Sequence, residues 1–184
     1  MIEVRKLELA GVLEITPRRF GDHRGFFSET YNASLLGEAG INLAFIQDNH
    51  SLSRTAGVLR GLHYQLPPFA QDKLVRVVRG AILDVVVDIR KSSPTFGVWL
   101  GVEVSAEKWN QILVPKGFAH GFVTLVPDTE VIYKVTERYA PDHERSIRFD
   151  DPAIGIDWGI SAADVTLSDK DRKAPLLADA EVFG

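Results

Sequence analysis

Residues 57–79 read Gly-Val-Leu-Arg-Gly-Leu-His-Tyr-Gln-Leu-Pro-Pro-Phe-Ala-Gln-Asp-Lys-Leu-Val-Arg-Val-Val-Arg, and this stretch decides how the chain is read. Two strand-like runs, Val58–Gln65 and Lys73–Arg79, flank a turn built on Pro67-Pro68. Polar residues stand where packing alone would prefer aliphatics: Arg60, His63, Gln65, Lys73 and Arg76. A histidine beside two or three cations in a β-rich setting points to a base facing an anionic or electron-rich ligand. Taken alone, His63 reads equally well as a packed histidine; Arg60 and Lys73 arriving with it weigh against that. Strict alternation puts His63 and Gln65 on one face and Arg60 on the other. A bulge or bend at Gly61 would bring Arg60 and His63 to the same side, and we expect one there.

Working outward, the strands come in quick succession. Residues 12–16 alternate until Pro17, and Phe26–Tyr31 resumes β character after the charged, glycine-bounded turn 18–25. Asn32 is placed to cap a short helix from Ala33 to Ala39, which Gly40 stops. Phe45–Ser53 is a strand with a polar centre, in which Gln47 and Asn49 share a face and offer amide donors and acceptors. Ala81–Ile89 is nearly continuous and β-branched, as for a strand buried on both faces. Phe96–Val104, Trp109–Val114, Ala119–Val126 and Glu130–Arg138 follow, with Ile156–Trp158 as a last short strand. Tyr133 alternates with Val131 and Val135, which aims its hydroxyl into an apolar interior. Leu167–Asp171 can cap a C-terminal helical turn. Short strands at this spacing, with little helix between them, make a mainly β fold, a β-sandwich or barrel with a few short helices.

Composition bounds the function. At 184 residues the chain is read as a single domain, 1–184, with a full core. The absence of cysteine removes disulfides, thiolate metal sites and cysteine nucleophiles together. A net charge of −4 gives no support for nucleic-acid binding, so an anionic ligand must be held by local arginines and lysines. No apolar run is long enough for a membrane span, and the N-terminal residues lack a signal peptide's apolar stretch; the expected location is the cytoplasm. With five histidines and His63-Tyr64-Gln65 in place of a His-x-His pair, no facial metal triad assembles, so no metal and no cofactor are expected.

Several motifs occur in a fixed order: Gly21–Thr30, Gln47–Ser51, Gly57–Gln65, Gln71–Val75, Gly80–Ile89, Val114–Phe122, Tyr133–Thr136 and Leu167–Pro175. The series closely resembles the dTDP-4-dehydrorhamnose 3,5-epimerase family across essentially the whole chain. That resemblance implies a cupin-like jelly roll, a homodimer with an exchanged N-terminal strand, and a dTDP-4-keto-6-deoxysugar substrate. It places His63 as general base, Asp171 as the carboxylate orienting it, Tyr133 as general acid and Lys73 near the keto oxygen. Arg60 and His120 would line the same site, Arg60 on the diphosphate side. Arg24, Glu29, Gln47, Asn49, Glu144 and Lys170 match nucleotide- and sugar-contacting positions, with Arg24 and Glu29 reaching the neighbouring subunit's site. The chemistry agrees with the residue types. Inverting a centre beside a ketone needs a base, an acid on the opposite face and a cation for the enolate oxygen. Relatives that act on carbon 3 or carbon 5 alone use the same base and acid, so the residues leave open whether one carbon or both react.

Overall fold

The computed structural model describes residues 2–184. In chain order they form strands β1 (Ile2–Lys6), β2 (Leu13–Pro17), β3 (Phe20–Asp22) and β4 (Gly25–Phe27), then helix α1 (Ala33–Glu38) and β5 (Gln47–Ser53). Next come β6 (Leu59–Gln65), β7 (Lys73–Arg79), β8 (Ala81–Asp88), β9 (Trp99–Ser105), β10 (Gln111–Val114), β11 (Phe118–Thr124) and β12 (Thr129–Val135). Strand β13 (Glu144–Ser146) and helix α2 (Asp169–Arg172) lie in the largely irregular C-terminal stretch. Among the described residues no helix is long and apolar enough to cross a membrane.

Two antiparallel sheets face each other, in the orders β1-β2-β10-β7-β12-β5 and β13-β6-β11-β8-β9. The chain crosses from one sheet to the other between β5 and β6, β6 and β7, β7 and β8, and again at every step from β9 to β13. This alternation is a cupin-like jelly roll, as the resemblance implied. The Pro67-Pro68 turn therefore does not close a hairpin; it carries the chain from one sheet to the other. Side chains of both inner faces interlock between the layers, among them Val75, Val77, Ile112 and Val131 from one sheet and Ile82, Val86, Phe118 and Phe122 from the other. Each fully buried aliphatic contributes about 1.5–3 kcal/mol relative to exposure.

The opposite face of the five-stranded sheet is also covered. Ile147, Phe149, Ile154 and Trp158 of the C-terminal stretch pack on Leu62, Tyr64, Val85 and Val87. This is why β8 is buried on both sides, as its β-branched composition indicated. Ile156–Trp158 is not a strand, however: Trp158 is buried in the cluster against the sheet and its indole Nε1 donates to the Phe149 carbonyl at 2.8 Å. Strand character beyond Phe27 also fails, since Ser28–Tyr31 is irregular and, among the described residues, β4 pairs only with β3. Asn32 caps α1 as expected, accepting from the Ser34 and Leu35 amides. Strands β1, β3 and β13 were not foreseen, β3 lying in the stretch 18–25 read as a turn; each is short and gains its order from a neighbour, β2, β4 and β6 respectively.

The irregularity expected at Gly61 is present. His63 pairs with His120 and Arg60 with Phe122, so two residues of β6 lie opposite the single Gly121 of β11. Gly61 has φ +128°, and a Cβ there would sit 2.5 Å from the Gly121 Cα. A Cβ on Gly121 would in turn meet the Arg60 carbonyl oxygen at 2.8 Å. Only a glycine pair lets the two backbones approach this closely. The extra residue brings Arg60 and His63 onto one cavity.

Candidate active site

A cavity of about 450 Å³ opens at the bulge and is lined by His63, Arg60, Lys73, His120, Tyr133, Lys170 and Asp171 together with apolar Leu59, Phe122 and Leu167. Four strands and the C-terminal helix supply these charged and polar groups: β6 carries Arg60 and His63, β7 Lys73, β11 His120, β12 Tyr133, and α2 Lys170 and Asp171. A second recess of about 300 Å³ shares His63, Lys73 and Tyr133 with it and adds Gln47, Asn49, Tyr139 and Glu144.

His63 Nε2 lies 2.5 Å from Asp171 Oδ1. The acceptor is a carboxylate, so Nε2 carries the proton and the neutral ring keeps its lone pair on Nδ1. Asp171 is buried, held on α2 by the Ser168 cap that the sequence indicated. Burial pushes its carboxyl up, but the His63 bond and charge, with further bonds from Ser168 and the Gly61 amide, bring it net below the ordinary range. Asp171 is therefore ionised at neutral pH. Asp169, two residues earlier, is exposed and makes no such bond.

Tyr133 corrects one expectation. Its ring does pack against the sandwich core, but the residue also lines the polar cavity instead of ending in an apolar interior. Burial pushes its phenol up, against Arg60 and with Glu144, so the hydroxyl keeps its proton at neutral pH. Burial pushes the Lys73 ammonium down to about 8, opposed by the carboxylates of Asp84 and Glu144. Lys73 is then a cation at neutral pH that loses its charge as pH rises through about 8.

His120 is buried and its Nε2 bonds Asp84 Oδ2 at 2.8 Å. Asp84 was missed by the sequence reading. The signal was an acid in the middle of a run expected to be buried on both faces, which requires a partner. Arg60 is exposed and bonds the Leu52 carbonyl at 3.4 Å; among the described residues it forms no ion pair. Glu144 accepts from Lys170 and from the Tyr139 hydroxyl, the latter at 2.8 Å. Burial pushes Glu144 up, and those two bonds outweigh it, leaving a carboxylate below its usual range. Gln47 donates to Asn49 Oδ1 at 2.9 Å, so these two amides are joined to each other as well as sharing a face.

Arg24 and Glu29 do not join this site within one chain. Arg24 pairs with Asp22 on the exposed β3–β4 hairpin, and Glu29 lies beside Asn32 at the start of α1. Among the described residues no group of three or more histidines and carboxylates gathers in a metal-ligand arrangement.

Comparison with known proteins identifies the family. The family model for dTDP-4-dehydrorhamnose 3,5-epimerase matches residues 6–179. The Shigella flexneri dTDP-4-dehydrorhamnose 3,5-epimerase is 50% identical over 183 residues, covering 99% of each chain. A crystal structure of the Bacillus anthracis enzyme of that name, with TDP and PPi bound, is 49% identical and superposes with a TM-score of 0.92, covering 96% of this chain and 99% of that one. The Legionella pneumophila dTDP-6-deoxy-D-glucose-3,5-epimerase, in complex with dTDP-4-keto-L-rhamnose, is 45% identical with a TM-score of 0.92, covering 97% of this chain and 94% of that one. A jelly roll with a carboxylate-bound histidine, a tyrosine and a lysine around one cavity thus belongs to an epimerase, and the chain is a member of the dTDP-4-dehydrorhamnose 3,5-epimerase family.

Proposed function

We propose that the chain, working as one unit, epimerises carbons 3 and 5 of dTDP-4-dehydro-6-deoxy-D-glucose to give dTDP-4-dehydro-L-rhamnose. The reaction uses no cofactor. The observation that carries this reading is the single cavity holding the Asp171-bound His63, Tyr133 and Lys73. His63 Nδ1 takes the proton from a carbon beside the ketone, and the C–H electron pair moves onto the ketone oxygen as an enolate. The Lys73 ammonium stabilises that oxyanion. Tyr133 returns a proton to the opposite face, the ketone reforms, and the two residues then exchange protons with solvent. Because the ketone already acidifies both neighbouring C–H bonds, these groups suffice. Arg60 and Lys170 provide cations for the diphosphate, which a chain of net charge −4 must bind locally.

The test is to incubate the protein with the 4-keto sugar nucleotide in heavy water and locate the deuterium in product by NMR. Deuterium with inversion at carbons 3 and 5 is the expected result. Label and inversion at one carbon alone would restrict the activity to a single-carbon epimerase, and no label at either would overturn the reading.

Asp171→Asn is expected to stay folded and to lose roughly a hundredfold or more in kcat, since an amide no longer enforces the tautomer that leaves Nδ1 basic. Stopped-assay kinetics alongside circular dichroism would check this; full activity would remove Asp171 from the mechanism.

We also propose that the working form is a homodimer in which the hairpin segment of one chain reaches the other's cavity. Support comes from the exposure of Phe20, Phe26 and Phe27, at 49%, 57% and 66%, beside Arg24. Arg24→Ala should then raise KM by about ten- to a hundredfold, the scale of a lost charge-assisted hydrogen bond. Mixing Arg24→Ala with His63→Ala chains should restore activity, because one site in each mixed dimer combines an intact His63 with an intact Arg24. No recovery on mixing, or a fully active monomer, would contradict the exchange.

A further inference from the structure

Asp72 lies outside both recesses, immediately before β7, and is buried. Its carboxylate Oδ2 accepts from the Thr136 hydroxyl at 3.0 Å, and its Oδ1 accepts from the Lys116 amide at 3.1 Å. Its own amide donates to Thr136 Oγ1 at 2.9 Å, and its carbonyl accepts from the Thr136 amide at 3.1 Å. The next residue, Lys73, pairs with Val135 of β12 on one side and Val114 of β10 on the other. Thr136 directly follows Val135, and Lys116 lies two residues beyond Val114, on the connection into the strand that carries His120. One buried carboxylate thus laces both strands that flank Lys73, at the end of the sheet where they would otherwise fray.

We propose that Asp72 is a positioning residue that holds Lys73 inside the cavity by tying the start of β7 to β12 and to the β10–β11 connection. A lysine ammonium is strongly hydrated and its four-carbon stem is flexible, so the side chain by itself favours reaching water. What keeps it in place is the anchoring of its backbone. The Asp72–Thr136 bonds also fix Lys73 relative to Tyr133, three residues before Thr136 on β12. Gln71 adds a parallel tie, its Nε2 donating to the Glu137 carbonyl at 2.8 Å. The depressed Lys73 ammonium agrees with a cation withheld from water. The charged and titratable groups around it are Asp84 on β8, Glu144 on β13, His63 and Arg60 on β6, His120 on β11, Tyr133 on β12, Lys170 and Asp171 on α2, and Tyr139 after β12.

The test follows the Lys73 titration by NMR in the whole protein with labelled lysine, beside steady-state kinetics. The consequence for turnover rests on the enolate role of Lys73 proposed above; the clamp itself does not. Asp72→Ala removes the clamp and should move the Lys73 midpoint up by about a unit or more, toward the ordinary value of about 10.4. It should lower kcat by about tenfold or more, with KM changed by less than about threefold, as for a loss felt only in the transition state. Asp72→Asn keeps the Lys116 bond and can donate to Thr136 Oγ1, so it should leave the midpoint at or below the wild-type value. The neighbouring negative charge is lost there, which moves a lysine down, opposite to the effect of release into water. An unmoved midpoint in Asp72→Ala, or an upward shift as large in Asp72→Asn, overturns the proposal. A moved midpoint with unchanged kcat would uphold the clamp and remove Lys73 from the chemistry. Should Asp72→Ala fail to fold, Thr136→Val, which deletes the hydroxyl and keeps the shape, carries the same comparison.

Discussion

In His63→Ala, deuterium exchange at the sugar carbons and epimerisation should fall together, by roughly a thousandfold or more, the scale of a missing general base. Both processes begin with removal of the same carbon-bound proton, and no neighbour can substitute. Asp171 is buried and held below the usual carboxylate range, so it is a weak base. Glu144 is likewise lowered and already accepts from Lys170 and Tyr139. His120 has its Nε2 committed to Asp84. The substitution also leaves the Asp171 carboxylate buried without its partner, a cost of about 1–3 kcal/mol in stability. Thermal unfolding should be measured beside the kinetics to separate that loss from the chemical one. Near-normal turnover in a folded variant would end the proposed mechanism.

Tyr133→Phe should separate exchange from inversion. His63 can remove the proton and return a deuteron to the same face, which labels the sugar without changing its configuration. Inversion requires a donor on the other face, the role proposed for Tyr133, whose hydroxyl keeps its proton at neutral pH because burial raises it. Phenylalanine preserves the ring packed against the sandwich core and deletes only that donor. The variant should still exchange deuterium while inverted product falls by about a hundredfold or more. If both fall equally, Tyr133 shapes the site instead of protonating the enolate. If inversion is untouched, the acid is elsewhere, and Lys73, lowered to about 8, becomes the leading candidate.

Much of this architecture could be read locally. Alternation, β-branching and turn residues place most strands within a few residues of where they lie, because the two-residue period and glycine or proline punctuation are properties of the chain itself. Capping is equally local: Asn32 and Ser168 each satisfy amides two or three residues ahead. Even the bulge was legible, since polar residues three apart on one strand with a glycine between them require an extra residue to share a face.

Partner choice was not legible. Strands β6 and β7 are neighbours in sequence but lie in different sheets, and every strand offers the same backbone donors and acceptors, so local pattern cannot say which edge it meets. The His63–Asp171 bond spans 108 residues, and its geometry depends on the C-terminal stretch lying across the five-stranded sheet. That stretch has no period to read: Trp158 is buried by a loop shaped around it, which alternation mistook for a strand. The separation of Arg24 and Glu29 from the chain's own cavity, and the burial that moves Tyr133 and Lys73 in opposite senses, likewise arise only when distant segments close over one another. Removal of those two side chains from water is a property of the assembled fold, and the chemistry of the cavity depends on it.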